Sequence, residues 1–506
     1  MSLAVALAGM ALSSVLYGMP FPPSGYASVA WFALVPVLLV LRSCSRAAAA
    51  VVAVGFAAWG AYSTADALPH SIADYYDQPR ALGIAFFFAM AATTTSSVML
   101  GFAYCYRRLA RRASVFAPFV VAAAWTGYEL VRARLLGNPW AALGYTQVDQ
   151  SLLAQVADLA GVYGIGFVVA AVNAALVEMI VARTDSEALR ARRGAALVAV
   201  VVAAAFAYGG LRMGGAAPAA DGESQSVLIV QGNVDLGSQW REEFYGEAFG
   251  TYRDMTYEGL RRGAASLVVW PETALTFFLD REPLYGAAIA EVLEPHGAEL
   301  ITGAPSVVER DEGAEYFNSA LLVTPDGRIA GRYDKEQLLP FAEYFPVPAL
   351  DFLRRDFGAV REFTPGRSVA PLEARSGRAG VVICNESLFA DIVGRRVDAG
   401  ADVLVNLTND GWLSDERLSG VAFAMTRLRA IEQRRYIVRA STSGPSAVID
   451  PYGRIAAATR LFARDTTTAS FARRSDRTVY ARVGDAFAVL CLFAAVVATV
   501  RARRAA

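Results

Sequence analysis

Charge is scarce over the first 212 positions and frequent over most of the rest, so the chain divides by pattern before any motif is read. Residues 1–41 carry no charge, and Pro20, Pro22 and Pro23 break them into two apolar spans, because proline removes a helix donor and crowds the preceding turn. Uncharged runs follow at 47–65, 81–106, 113–128, 159–177 and 194–211, with a last one at 486–500. A helix needs about 20 residues to cross a bilayer core, and the shorter runs reach that length only with tilt and flanking residues. The pattern predicts eight membrane-spanning helices. No basic segment precedes the first run, which reads as a span and not as a cleaved leader.

Between the seventh and eighth runs the period shortens. Residues 226–230, 266–270, 298–303, 319–324, 380–384, 402–406, 436–440 and 446–449 are short apolar stretches rich in β-branched side chains, and they read as strands. Pro325-Asp326-Gly327 and Pro451-Tyr452-Gly453 carry hairpin signals. Residues 242–263 and 417–434 read as helices, the second laced with arginine. Strands alternating with helices predict an α/β exterior domain whose two sheets pack face to face between helices. The expected organisation is a seven-span region at 1–212, an α/β domain at 213–482 behind an Ala/Gly-rich linker, and a last helix with a tail at 483–506.

Composition sharpens this picture at two points. Hydrophobic residues make up 55% and charged residues 19% of 506, too apolar for an ordinary soluble chain and too charged for one that is membrane throughout. Net charge is zero, so nothing points to nucleic acid. The arginines of the connections alternate in density: thirteen lie in the set holding 42–46, 107–112, 183–193 and 501–504, and only Arg80, Arg132 and Arg134 lie in the opposite set. Positive residues stay inside, which places both termini in the cytoplasm and residues 213–482 outside.

The second point is a single lysine. Of 47 basic residues, only Lys335 is not arginine. A chain that uses a guanidinium wherever a cation will serve has kept an ammonium here, and the two are not interchangeable in chemistry. Cysteines stand at 44, 105, 384 and 491, and only Cys384 lies in the polar part of the chain. That set builds neither a disulfide framework nor a metal cluster, so no metal and no cofactor is expected. With only His70 and His296 available, a base for Cys384 is sought among carboxylates.

Three residues punctuate strand ends. Cys384 follows the apolar run 380–383, Glu272 follows Trp270-Pro271, and Lys335 follows Tyr333-Asp334. Each has an ordinary alternative: a small buried hydrophobe, a helix-start acid, a surface cation. Together at one sheet edge they can divide acyl transfer. The carboxylate takes the thiol proton, the thiolate attacks a carbonyl, and the ammonium stabilises the oxyanion.

Glu272 in Trp-Pro-Glu, Lys335 in Tyr-Asp-Lys and Cys384 in Ile-Cys-Asn-Glu resemble the Glu-Lys-Cys triad of the nitrilase superfamily. Gln231-Gly232-Asn233, the long run Leu339-Pro340-Phe341-Ala342-Glu343-Tyr344-Phe345-Pro346, Asn409-Asp410-Gly411-Trp412, and Pro139-Trp140 with Gly144-Tyr145 are similar to the membrane-embedded apolipoprotein N-acyltransferase family over the whole chain. The resemblance implies a nitrilase-like α-β-β-α sandwich facing the periplasm from a bacterial inner membrane, in a protein acting as a monomer. It implies a ping-pong reaction in which Cys384 takes an acyl chain from a phospholipid as a thioester and passes it to the α-amine of a diacylated apolipoprotein. Glu272 would be the base, Lys335 the oxyanion partner and Glu343 their support. Trp240, Glu386 and Trp412 would bind substrate. Two departures stand out: Asn385 where the family often has tyrosine, and Val421-Ala422-Phe423 where it often has Gln-His.

Residues 345–357 mix aromatics with arginines, as an interfacial lid or a packed loop would. The triad also suits a membrane-anchored amidase or a transferase with another acceptor. A non-catalytic membrane scaffold or transporter is the remaining alternative; transporters usually carry ionisable residues within their spans, whereas Glu129, Asp158 and Glu178 lie near predicted span ends.

Overall fold

The structure, a computed structural model, describes residues 1–75, 78–112, 114–214, 223–234, 245–311, 313–345, 362–411 and 415–504. Each predicted span is matched by a helix. Five are long and apolar enough to cross a membrane: Arg46–Thr64, Arg80–Leu109, Ala157–Val181, Asp185–Gly214 and Ala486–Arg503. Leu3–Gly18 and Ala27–Ser43 are apolar but shorter. The remaining helix, Ala117–Arg134, carries Glu129, Arg132 and Arg134, and its inward face buries the first two. These helices share one hydrophobic core.

One helix departs from the pattern. Ala157–Val181 is broken at Ala160 and at Gly161, whose φ of 62° is one that a side chain would strain. A Cβ there would lie 2.6 Å from the Tyr480 ring, so glycine serves both the turn and the close approach. The short amphipathic helix Leu68–Tyr75 was not read from sequence.

The α/β part holds two six-stranded sheets. In chain order the strands are β1 Gln225–Gln231, β2 Leu267–Val269, β3 Glu299–Arg310, β4 Gly313–Val323, β5 Ile329–Asp334, β6 Leu372–Ala374, β7 Gly377–Ile383, β8 Val403–Thr408, β9 Ile437–Ser441, β10 Ala447–Ile449, β11 Ile455–Ala458 and β12 Asp465–Phe471. One sheet runs β12-β1-β2-β3-β4-β5 and the other β11-β10-β9-β8-β7-β6. β1-β2-β3 and β7-β8-β9 are parallel, with antiparallel strands on both flanks. Both expected hairpins form, β4–β5 and β10–β11, with Gly327 and Gly453 at positive φ.

Alternation decides the layers. Val227, Ile229, Val269, Ile301 and Leu322 face Val381, Ile383, Val405, Leu407 and Val438 across the central core. Their neighbours face outward, onto helices Tyr245–Arg262 and Pro283–Leu293 on one side and Ala390–Asp398 and Glu416–Gln433 on the other. This is the α-β-β-α sandwich of nitrilase-like proteins. Helix Glu416–Gln433 serves two cores: Phe423 and Ala430 pack on the sheet, while Val421, Ala424, Met425, Leu428 and Ile431 pack among the membrane helices.

Candidate active site

The carboxyl ends of the parallel strands converge at one edge, the usual location of reacting groups in α/β folds. β2 delivers Glu272 through Trp270-Pro271, and the turn is tight. Gly303 of the adjacent strand would place a Cβ 2.6 Å from Glu272 Cα, so any side chain at 303 displaces the acid. Glu272 is 5% exposed. Its Oε1 accepts from Asn318 Nδ2 at 2.8 Å and from Lys335 Nζ at 3.4 Å, and its Oε2 accepts from the Asn409 N–H at 2.7 Å.

Lys335 leaves β5 and is almost fully enclosed, with Nζ 2.8 Å from Glu343 Oε2 as well as near Glu272. Burial works against its charge, but Glu343 and Glu272 outweigh burial and hold its pKa well above the ordinary lysine value. Glu343 is itself braced: its Oε1 accepts from Asn318 Nδ2 at 2.7 Å and its Oε2 from the Leu339 N–H at 2.7 Å. Asn318 thus bridges both acids, and its carbonyl accepts the Lys335 N–H at 2.8 Å.

Cys384 sits where β7 ends, at a φ of 52° and partly exposed. A non-glycine residue in that region is costly and persists only where its surroundings over-determine it. Surrounding protein pushes the thiol pKa above its usual range; Glu272 raises it further and Lys335 opposes. The resting nucleophile candidate is therefore a thiol, not a preformed thiolate. Attack by a thiol requires that its proton be taken, and Glu272, in contact with Lys335, is the candidate acceptor.

Glu386, expected among the substrate-binding residues, has a different position. It is fully enclosed, and its oxygens accept from the N–H groups of Ile383, Glu336 and Gln337 at 2.6, 2.7 and 3.0 Å and from the Tyr333 hydroxyl at 2.8 Å. Glu386 thus ties the segment after Lys335 to the turn that carries Cys384. Arg396 closes the brace, donating to Tyr333 and to Glu336. Asn385 keeps its Oδ1 buried and without a hydrogen-bond partner beside the nucleophile. Trp240, Trp412 and most of the 345–357 stretch lie outside the described residues.

Sequence reading overlooked Asn318, Tyr333 and Arg396. An asparagine inside the strand run Phe317-Asn318-Ser319 was the available signal, since asparagine is depleted from strands.

Residues 239–478 match the carbon-nitrogen hydrolase family, and residues 13–175 match the apolipoprotein N-acyltransferase N-terminal domain. Among solved structures, a carbon-nitrogen hydrolase from Helicobacter pylori G27 aligns at 16% identity and a TM-score of 0.38, over 49% of this chain and 88% of that one. Among curated relatives, the apolipoprotein N-acyltransferase of Geobacter metallireducens is 32% identical over 97% of this chain and 94% of its own. Those of Bradyrhizobium diazoefficiens and Pseudomonas aeruginosa are each 32% identical, over 80% and 74% of this chain and 77% and 70% of theirs. With both halves matched and apolar helices framing an acyl-transfer fold, this integral membrane enzyme belongs to the apolipoprotein N-acyltransferase family.

Proposed function

We propose that the enzyme N-acylates diacylated apolipoproteins with a chain taken from a phospholipid, through a thioester on Cys384. The observation that carries this reading is the buried Lys335 ammonium between Glu272 and Glu343, its field reaching Cys384, in a domain joined at both ends to apolar helices. Glu272 takes the thiol proton as Sγ attacks the ester carbonyl, and Lys335 Nζ meets the oxygen that becomes negative. The ester C–O bond breaks, Glu272 returns the proton to the departing alkoxide, and lysophospholipid leaves. The α-amine of the acceptor then attacks the thioester, gives its proton to Glu272, and the departing thiolate takes that proton back.

Tethering at both ends holds the reacting edge near the bilayer, which does for a lipid what affinity does for a soluble substrate. We place the domain on the periplasmic face of the inner membrane from the arginine distribution. The enzyme would work as a monomer, and Trp240 and Trp412 would contact substrate. Incubation with phospholipid vesicles alone should give an acyl adduct on Cys384, seen by mass spectrometry and released by hydroxylamine. Cys384→Ala should give none. An adduct that persists in Cys384→Ala would overturn the assignment.

A further inference from the structure

Backbone strain is not scattered through this molecule. Among the described residues, seven that are not glycine have positive φ, and five of them (Asn233, Thr273, Phe341, Cys384 and Phe462) lie at the edge that carries the site. Thr273 adjoins Glu272, Cys384 is the candidate nucleophile, and Phe341 opens the turn that positions Glu343. Phe462 has no part in the chemistry described above. It is an aromatic residue at φ 53°, a region that favours glycine, and it stays 42% exposed.

The turn that carries it is held by four hydrogen bonds from three residues. β12 starts opposite the carboxyl end of β1, Asp465 pairing with Gln231, so residues 459–464 cross between the sheets at the reacting edge. Gln231 Nε2 donates to the carbonyls of Arg460 and Ala463 at 2.6 and 2.9 Å. The Phe462 N–H donates to the Ser443 carbonyl at 2.8 Å, and its own carbonyl accepts from Asn233 Nδ2 at 3.1 Å. These supports connect to the base: the Asn233 N–H donates to the Thr442 carbonyl, Thr442 Oγ1 donates to Asn409 Oδ1, and the Asn409 N–H holds Glu272. The Gln-Gly-Asn motif therefore fixes a strained, exposed phenylalanine at the same strand-end edge as Glu272 and Cys384. Glycine or asparagine would adopt that backbone at lower cost.

We propose that Phe462 is a substrate-contact residue whose ring receives the hydrocarbon chain of a lipid substrate; this rests on the acyl-transfer reading above. The same chemistry is presented by the phospholipid donor and by the diacylglyceryl group of the acceptor. Phe462→Asn and Phe462→Gly remove the ring and relieve the backbone, while Phe462→Leu keeps an apolar contact. The first two should melt at or above the wild-type temperature. They should raise KM about fivefold with kcat nearly unchanged, and Leu should fall between.

Acyl-enzyme formation from phospholipid vesicles isolates the donor. Transfer from preformed acyl-enzyme to a synthetic diacylated lipopeptide isolates the acceptor. A KM rise in either arm supports the inference and names the chain. Unchanged KM in both arms, or a melting temperature lowered in both the Asn and Gly variants, overturns it. A wild-type enzyme that forms no acyl adduct and transfers nothing overturns the acyl-transfer reading, and this inference with it.

Discussion

Two buried charge clusters in this molecule look alike and differ in one respect. At the reacting edge Lys335 stands between Glu272 and Glu343. At the junction between the membrane helices and the α/β domain, the two parts exchange charges. Arg434 of the domain reaches Asp158 at 2.6 Å, and Glu432 accepts the Val162 N–H at 3.0 Å, capping the helix segment that restarts after Gly161. Arg429 pairs with Glu432 at 3.0 Å and donates to the Tyr145 hydroxyl at 2.7 Å. Every cation at the junction is arginine, whose fixed fork of donors holds geometry and whose proton is never released. In the reaction proposed above, the one lysine is the compact, reorientable donor that meets a developing charge. Burial and pairing are common to both clusters; the identity of the cation separates a joint from a reacting group.

The sharpest way to break that comparison is to open the joint. Asp158 accepts from Arg434, from Arg212 at 2.9 Å and from Tyr208 at 2.6 Å, and it is 2% exposed. Asp158→Ala leaves the enclosed Arg434 guanidinium without its carboxylate, still donating to Gln155 Oε1 and the Pro451 carbonyl, which costs about 3–5 kcal/mol. The variant should melt far below wild type in detergent and lose activity only in proportion to the folded fraction. A stable protein with its turnover specifically lost would place Asp158 in the chemistry and erase the distinction.

The reciprocal test converts the lysine into the junction's cation. Lys335→Arg should fold and insert normally, because charge is conserved. A planar guanidinium cannot occupy the same point between Glu272 and Glu343, and loss of one placed donor costs about 10²–10³ in rate. Turnover of a diacylated lipopeptide, with melting temperature as control, reads it. Near-normal turnover would make Lys335 structural.

The two halves of the chain differ in legibility for the same reason the two clusters differ in kind. Local pattern exposed the apolar helices, the strand ends and the lone lysine, since each is written in consecutive residues. The joint is not local. The stretch 417–434 reads from sequence only as a helix laced with arginine, and the structure encloses Arg429 and Arg434 between two cores, because partners at Tyr145 and Asp158 come from distant sequence. The bracing by Glu386 is equally hidden: its place beside Cys384 suggests substrate, and its three backbone donors come from two separate segments. Asn318 shows the limit from the other side, one polar residue in a strand whose meaning depends on two acids 46 and 25 positions away.

The finest distinction between the clusters is protonic, and Glu432 tests it. Burial pushes this acid up to about 7, with Arg429 and the Val162 N–H working in the opposite sense. Its folded pKa therefore stands above the unfolded value near 4.5, so its contribution to stability is complete below that lower value and is lost as pH rises through about 7. The wild-type protein should gain a few degrees of melting temperature between pH 8 and pH 5.5 from this group. Glu432→Gln keeps an acceptor for Val162 without a charge to bury, and should flatten that profile while matching wild type at the acid end. Activity per folded molecule should follow neither change, because the joint holds the domain in place and takes no part in proton transfer. An unaltered melting profile in Glu432→Gln would show that the ion pair with Arg429 keeps the acid charged throughout, and that the joint is as fixed in protonation as its arginines.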